Sequence, residues 1–281
     1  MKVNRTFYTV LAVLCLVSTF SYSQQYQNPA IENFGPPNEV NLGAPYPGEG
    51  IDLIPGGVDL YSGDDPNTIY YGLTPPGSAN RPVLVFVHGY ASKASVWYSG
   101  DDNMYNDVYN DGYRAAYVSL TPNKHVWTNG AMLSTIIDRV TQHYNVSSVT
   151  VVGWSKGGVD TDAALVHFGA NSKVDQVFTL SSPHNGTYLA ELANSWLLSL
   201  VNIIFMQNND ATRSLTRGNM AYFRSITDNN PNNTVPYTTI GGWGNGPLAR
   251  VDIPQGILHL NGGSKSSGGN DGVVPYRSSL R

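Results

Sequence analysis

Val149–Gly158, VTVVGWSKGG, constrains this chain more than any other stretch of it. A β-branched apolar run enters Gly-x-Ser-x-Gly, and a second glycine and a helix-compatible segment follow. Such a strand-turn-helix lifts a serine hydroxyl onto a sharp bend at the edge of a sheet. Gly153 and Gly157 flank Ser155 because a Cβ at either position would collide where strand and helix approach closely. The functional reading is a nucleophilic serine. A plain glycine-rich turn is the alternative.

The surrounding pattern fits a sheet that could carry that bend. Pro82–His88, PVLVFVH, is an unbroken apolar run of the kind found in strands buried on both faces. Tyr113–Leu120 is a weaker strand announced by Asp111-Gly112. Met132, Leu133, Ile136, Ile137, Val140 and Tyr144 recur at helical spacing and predict an amphipathic helix over Gly130–Tyr144. Strands over Val149–Trp154 and Val174–Leu180 bracket a helix over Lys156–Phe168, with Gly169 as its stop. Strand and helix alternating through short links indicate an α/β fold, a mostly parallel sheet with helices on both faces.

Outside that block the signals are weaker. Residues 24–80 are rich in Pro, Gly, Asn and Asp and read as an N-terminal arm adding edge strands near Val58–Tyr61 and Ile69–Tyr71. A disordered leader is the competing view. Glu191–Met206 is apolar almost all round, which fits either a buried helix or a lid over an apolar site. A helix near Ala211–Ile226 and strands at Tyr237–Gly241 and Gly256–Leu260 complete the reading, with the main domain running over 81–281.

Lys2 and Arg5, the apolar run Phe7–Phe20 and the small residues around Tyr22 read as a signal peptide over 1–23, placing the protein outside the cell or in the periplasm. The run is too short to span a bilayer comfortably. Cleavage would remove the one cysteine, Cys15, so the mature chain would form no disulfide. Losing Lys2 and Arg5 would also take the formal net charge from −4 to −6. That balance, with no basic stripe, argues against nucleic acid or an anionic membrane as a partner. No further transmembrane segment is expected. The charged share of 13% is about half the usual one and suits an exported surface.

An ester hydrolase needs a nucleophile, a base, an acid that orients the base, and donors for the oxyanion. Ser155 supplies the first. The Lys156 backbone N–H, at the start of the helix, is one candidate oxyanion donor. The second should come from the loop after the first buried strand, at His88-Gly89-Tyr90, with Tyr90 N–H as the choice. His88 precedes the serine, whereas the expected order is serine, acid, histidine, so it reads as loop-shaping.

VHGY, GWSKGG, SSPHNGT and NDGVVP, in that order, resemble the secreted bacterial lipases of the α/β-hydrolase superfamily, in particular the Pseudomonas/Burkholderia-type triacylglycerol lipases. The likeness spans roughly Val83 to Ser279. It departs at Trp154, where those lipases usually carry His. The resemblance implies an α/β-hydrolase fold with lid helices about 189–226 and Asp271 as the triad acid. An Asn-Asp-Gly turn before a strand is the other reading of Asp271. A structural calcium is implied by the resemblance alone; no cofactor is expected, and no cluster here has metal-ligand spacing of its own.

The base is the difficulty. In the family it follows the acid by some twenty residues, and no histidine follows Asp271 here. His143 and His167 fall on predicted helices, His184 resembles a structural residue, and His125 sits in a loop. His259, in a strand-like Leu-His-Leu context, would need an acid such as Asp228 or Asp252. A sequence cut short at its C-terminus is the favoured explanation, and loss of the base the remaining one. The expected activity is a serine esterase or lipase acting on esters at a lipid–water interface. The alternatives are a polyester (polyhydroxyalkanoate-type) depolymerase of the same fold and a non-catalytic secreted binding protein.

Overall fold

The computed structural model describes residues 31–43, 66–98, 104–187, 190–191, 209–242 and 274–281 of the 281-residue chain. The signal-peptide segment, the strands expected at Val58–Tyr61 and Gly256–Leu260, the apolar segment beyond Glu191, His259 and Asp271 lie outside the described residues.

Seven strands form one sheet: β1 (Asn38–Asn41), β2 (Thr68–Tyr71), β3 (Val83–Val87), β4 (Arg114–Ser119), β5 (Val149–Trp154), β6 (Val174–Leu180) and β7 (Tyr237–Ile240). Their order is β1-β2-β4-β3-β5-β6-β7. β3 through β7 run parallel, and β2 pairs antiparallel with β4. The near-continuous apolar runs of β3 and β5 are what a central parallel position demands, since helices cover both faces there.

The five helices among the described residues are α1 (Met104–Asn110), α2 (Val126–Tyr144), α3 (Lys156–His167), α4 (Asp210–Ser214) and α5 (Arg217–Thr227). On one face, Leu133, Ile136, Ile137 and Val140 of α2 and Leu165 of α3 pack on Val85, Val118 and Val151. On the other, Tyr105 and Val108 of α1 join Trp97 and Tyr98 against Phe86 and Tyr117. α2 and α3 cross closely: a Cβ on Gly130 would stand 2.6 Å from the Ala163 Cβ.

Two boundaries differ from the sequence reading. α2 begins one turn before Gly130, because His125 caps it by accepting the Trp127 N–H at 3.4 Å on Nδ1. The helix expected over Ala211–Ile226 is two helices. Asn209 opens the first with a capping box to Thr212, and Thr216 opens the second by accepting from the Asn219 N–H. α1 was absent from the reading, since MYNDVYN carries too few apolar positions to show a period.

The sheet explains where a site must lie. From β3 the chain moves to β4 on one side, then crosses back over to β5 on the other. Strand order therefore reverses at β3, and the carboxyl ends of β3 and β5 border the crevice where ligands bind in such sheets.

One buried polar hub ties the parts behind that crevice together. Asp162 of α3, fully buried, accepts from His184 Nδ1 at 2.9 Å and from Arg224 Nη1 of α5 at 3.0 Å. Arg281 Nε lies 3.0 Å away on its other oxygen, and that guanidinium covers the Tyr237 ring of β7 at 3.6 Å. Burial alone would raise this carboxyl, but His184, Arg281 and Arg224 outweigh it and hold it far below the usual carboxylate range. A depressed native value means the stabilisation is complete above the unfolded value near pH 4 and is lost as pH falls below it. Asp162→Asn, which removes the fully buried anion shared by His184, Arg224 and Arg281, should cost about 3–5 kcal/mol at pH 7. Urea unfolding from pH 7 down to 2.5 should show that gap narrowing only below about pH 4; a gap independent of pH would exclude a charged Asp162.

Candidate active site

Ser155 occupies the turn between β5 and α3 with φ 51 and ψ −126. A non-glycine residue at positive φ is strained by about 1–3 kcal/mol and persists only where its surroundings fix it. They do so here. The Ser155 N–H donates to Leu180 O of β6 at 2.8 Å, and Gly158 N–H returns to Ser155 O at 3.1 Å.

Backbone packs on backbone around this turn. A Cβ on Gly157 would stand 2.4 Å from His88 O and 2.7 Å from Val87 O, and one on Gly153 would stand 2.8 Å from Gly158 Cα. The exit of β3 therefore lies directly against the first turn of α3. Gly89 sits over the serine itself, since a Cβ there would meet Ser155 Cβ at 2.8 Å and Oγ at 3.4 Å. Ser155 and the Gly89-Tyr90 loop, singled out separately in the sequence, are thus brought together at the switch point.

As the first residue of α3, Lys156 has a backbone N–H with no partner inside the helix. With the dipole of the helix behind it, that amide favours negative charge. Tyr90 is anchored from its far end, its hydroxyl accepting from Asn209 Nδ2 at 3.0 Å.

The Lys156 side chain carries information the sequence reading did not use. Its ammonium is buried and bonds both Asp160 oxygens, at 2.6 and 2.9 Å. Asn129 Nδ2 completes the pair, donating to Asp160 at 3.0 Å and to Thr121 O at 3.0 Å. Burial lowers the Lys156 amine and raises the Asp160 carboxyl, and each charge offsets the other's shift. The Lys-x-x-x-Asp spacing was visible as an i,i+4 pair, but nothing in it marked the pair as interior.

Five histidines are described, and the partners of each are set. His88 engages both ring nitrogens with backbone, and burial together with the Lys156 charge pushes it down to about 4. His125 caps α2 and is pushed down to about 3 by burial and by Lys156. His143 stacks on Tyr71 with ring centroids 3.6 Å apart. His167 bonds Thr227 Oγ1 at 2.9 Å, and His184 is held between Asp162 and Thr179. Asp228, the alternative acid, is half exposed and ion-paired with Arg224.

Trp154, the residue before Ser155, meets Trp97 edge-on at 6.4 Å. No three His, Cys, Asp or Glu side chains converge among the described residues. No described helix is long and apolar enough to cross a membrane.

Similar folds are found among solved structures. The mature form of Bacillus licheniformis lipase BlEst2 is 34% identical over 78% of this chain and 87% of that one, with a TM-score of 0.67. The metagenomic carboxyl esterase MGS0156 is 20% identical, covering 74% of this chain and 62% of that one at a TM-score of 0.57. Staphylococcus hyicus lipase is 16% identical over 78% and 82%, at 0.51. These last two speak to the fold alone. No family model matches the sequence, and no curated relative does.

The strain at Ser155 is measurable. Ser155→Gly tolerates positive φ, whereas Ser155→Ala keeps the Cβ that opposes it. The glycine variant should be the more stable of the two by about 1 kcal/mol, despite the usual entropic cost of glycine. Chemical denaturation of the two variants checks this, and an alanine variant equal or superior in stability would remove the strained bend.

Proposed function

The chain belongs to the lipase-like hydrolases of the α/β-hydrolase superfamily, and from that premise we propose that it cleaves carboxylic esters through an acyl-enzyme on Ser155. The observation that carries the reading is Ser155 held at positive φ between β5 and α3, with the Gly89 loop of β3 against it.

In this mechanism the Ser155 Oγ attacks the ester carbonyl carbon and gives its proton to a base. The carbonyl oxygen becomes an oxyanion, accepting from the Lys156 and Tyr90 N–H groups. Collapse expels the alcohol, which takes the proton from the base, and leaves the acyl group on Ser155. Water then attacks that acyl carbon by the same route and releases the acid. Each oxyanion donor of this kind is worth roughly 3–4 kcal/mol of barrier.

Four of the five described histidines hold hydrogen bonds within the fold and His143 stacks on Tyr71, which favours a base from outside the described residues. His259, the one histidine of this sequence there, precedes Asp271 and in the conventional order would pair with another acid such as Asp252. Asp271 is carried as the acid on its motif position. The basic start and apolar run of residues 1–23 support export, and the exposed Trp154 beside the serine suits an apolar acyl chain.

The test uses emulsified triglyceride and a short-chain aryl ester. Ser155→Ala should lower turnover by at least about 10⁴-fold, as loss of the nucleophile does in other serine hydrolases. A serine-directed phosphonate should add one group per chain, on the peptide that contains Ser155. Hydrolysis that survives in Ser155→Ala, or an adduct on another residue, would overturn the assignment.

A further inference from the structure

His88 makes a bond that does not join parts of the fold. Its Nδ1 lies 2.8 Å from the carbonyl oxygen of Gly89, the next residue along. A contact with an adjacent residue cannot hold two elements together. What it fixes is the orientation of one peptide plane, that of Gly89–Tyr90.

The tautomer follows from the other nitrogen. Two groups of Leu120 lie at His88 Nε2, the N–H at 2.9 Å and the carbonyl oxygen at 3.2 Å; the nearer one can only donate, and Gly89 O, 2.8 Å from Nδ1, can only accept. Nε2 must therefore offer its lone pair, which places the ring proton on Nδ1, where it is donated to Gly89 O. Burial and the nearby Lys156 ammonium keep the ring neutral in this form.

The topology then gives the direction. Leu120 follows β4, which lies on one side of β3; Ser155 follows β5, which lies on the other. The imidazole meets Leu120 beyond β4 with one nitrogen and the Gly89 carbonyl with the other. Across a trans peptide the N–H points opposite to the C=O. A Gly89 carbonyl held on the β4 side would leave the Tyr90 N–H facing β5 and the serine.

We infer that His88 is a positioning residue for ester cleavage, its Nδ1–H bond to Gly89 O turning the Tyr90 amide toward Ser155 as the second oxyanion donor. This rests on the reading of Ser155 as nucleophile and Tyr90 N–H as donor. His88 takes no proton from substrate and touches none of the reacting atoms.

Two substitutions separate the two nitrogens. In His88→Asn the side-chain amide nitrogen can stand where Nδ1 stands and keep the donation to Gly89 O. In His88→Gln the amide oxygen reaches the Nε2 position, keeping the Leu120 contact and losing the Gly89 one. Loss of one oxyanion donor costs about 10²–10³ in kcat. His88→Gln should lose that much with KM little changed, and His88→Asn should recover at least about tenfold of it. Nitrogen-15 NMR of the full chain should find His88 protonated on Nδ1 alone at neutral pH. The Tyr90 amide resonance should move in His88→Gln and much less in His88→Asn.

Equal losses in the two variants, losses that follow their unfolding midpoints, or a proton on Nε2 would each overturn the inference. Ser155→Ala in the same assay keeps the underlying reading distinct. Activity that survives there, or a wild-type chain with none, sinks the nucleophile assignment, while the tautomer and the Tyr90 resonance still decide what His88 does.

Discussion

The contact on which the rest depends is the one between the end of β3 and the first turn of α3. There the Gly157 Cα lies so near the carbonyls of Val87 and His88 that a methyl group would fall 2.4–2.7 Å from both. Clashes of that size with backbone cannot be relieved by rotating a side chain. They would push α3 off the sheet and carry Ser155 away from the Gly89 loop. The strand-order reversal makes β3 and β5 neighbours, and the missing side chains let the two exits close on each other. Ser155 and the Gly89 loop are therefore placed by the main chain before any side chain is considered.

Behind this junction the protein buries charge rather than excluding it. Lys156–Asp160 and the Asp162 hub lie on successive turns of α3, both away from water. Buried ion pairs often contribute little net stability compared with apolar residues of the same size, whereas breaking one costs much more. Their contribution here is geometric. Asp160, through Asn129, binds α3 to α2 and to the loop after β4. Asp162 binds α3 to the loop after β6, to α5 and to the segment 274–281. A helix pinned at both points has no freedom to rotate, so its N-terminal amide keeps its direction.

The parts legible in the sequence were those with strong local physics. β3 and β5 are apolar without a break, α2 and α3 show helical periodicity, and GWSKGG encodes the bend itself. The nearness of the loop after β3 to Ser155 was also legible, because a second oxyanion donor was expected from the loop after the first buried strand. The long-range commitments were not. Asp162 meets Arg281 across 119 positions, and no periodicity reports such a partner. His125 carried no signal because a cap depends on where the helix begins, and the apolar pattern placed that start one turn late. The Lys156 ammonium was hidden for another reason: charged residues at helix N-termini usually face water, and burial could be read only once Asn129 and Asp160 were seen around it.

The two proposed oxyanion donors are set by different physics, which bears on how such a site can vary. The Lys156 amide is covalently next to Ser155 and begins α3, so any sequence that forms the bend and the helix delivers it. The Tyr90 amide belongs to a separate loop, and a peptide plane in a loop can flip. It needs a constraint of its own, and the structure supplies two, His88 at the Gly89 carbonyl and Asn209 at the Tyr90 hydroxyl. Asn209 also caps α4, so the outer end of this loop is tied to that helix while the inner end is tied to the sheet. A rearrangement of that helix would act on the Tyr90 side chain, yet the His88 bond would leave the Gly89–Tyr90 plane where it is.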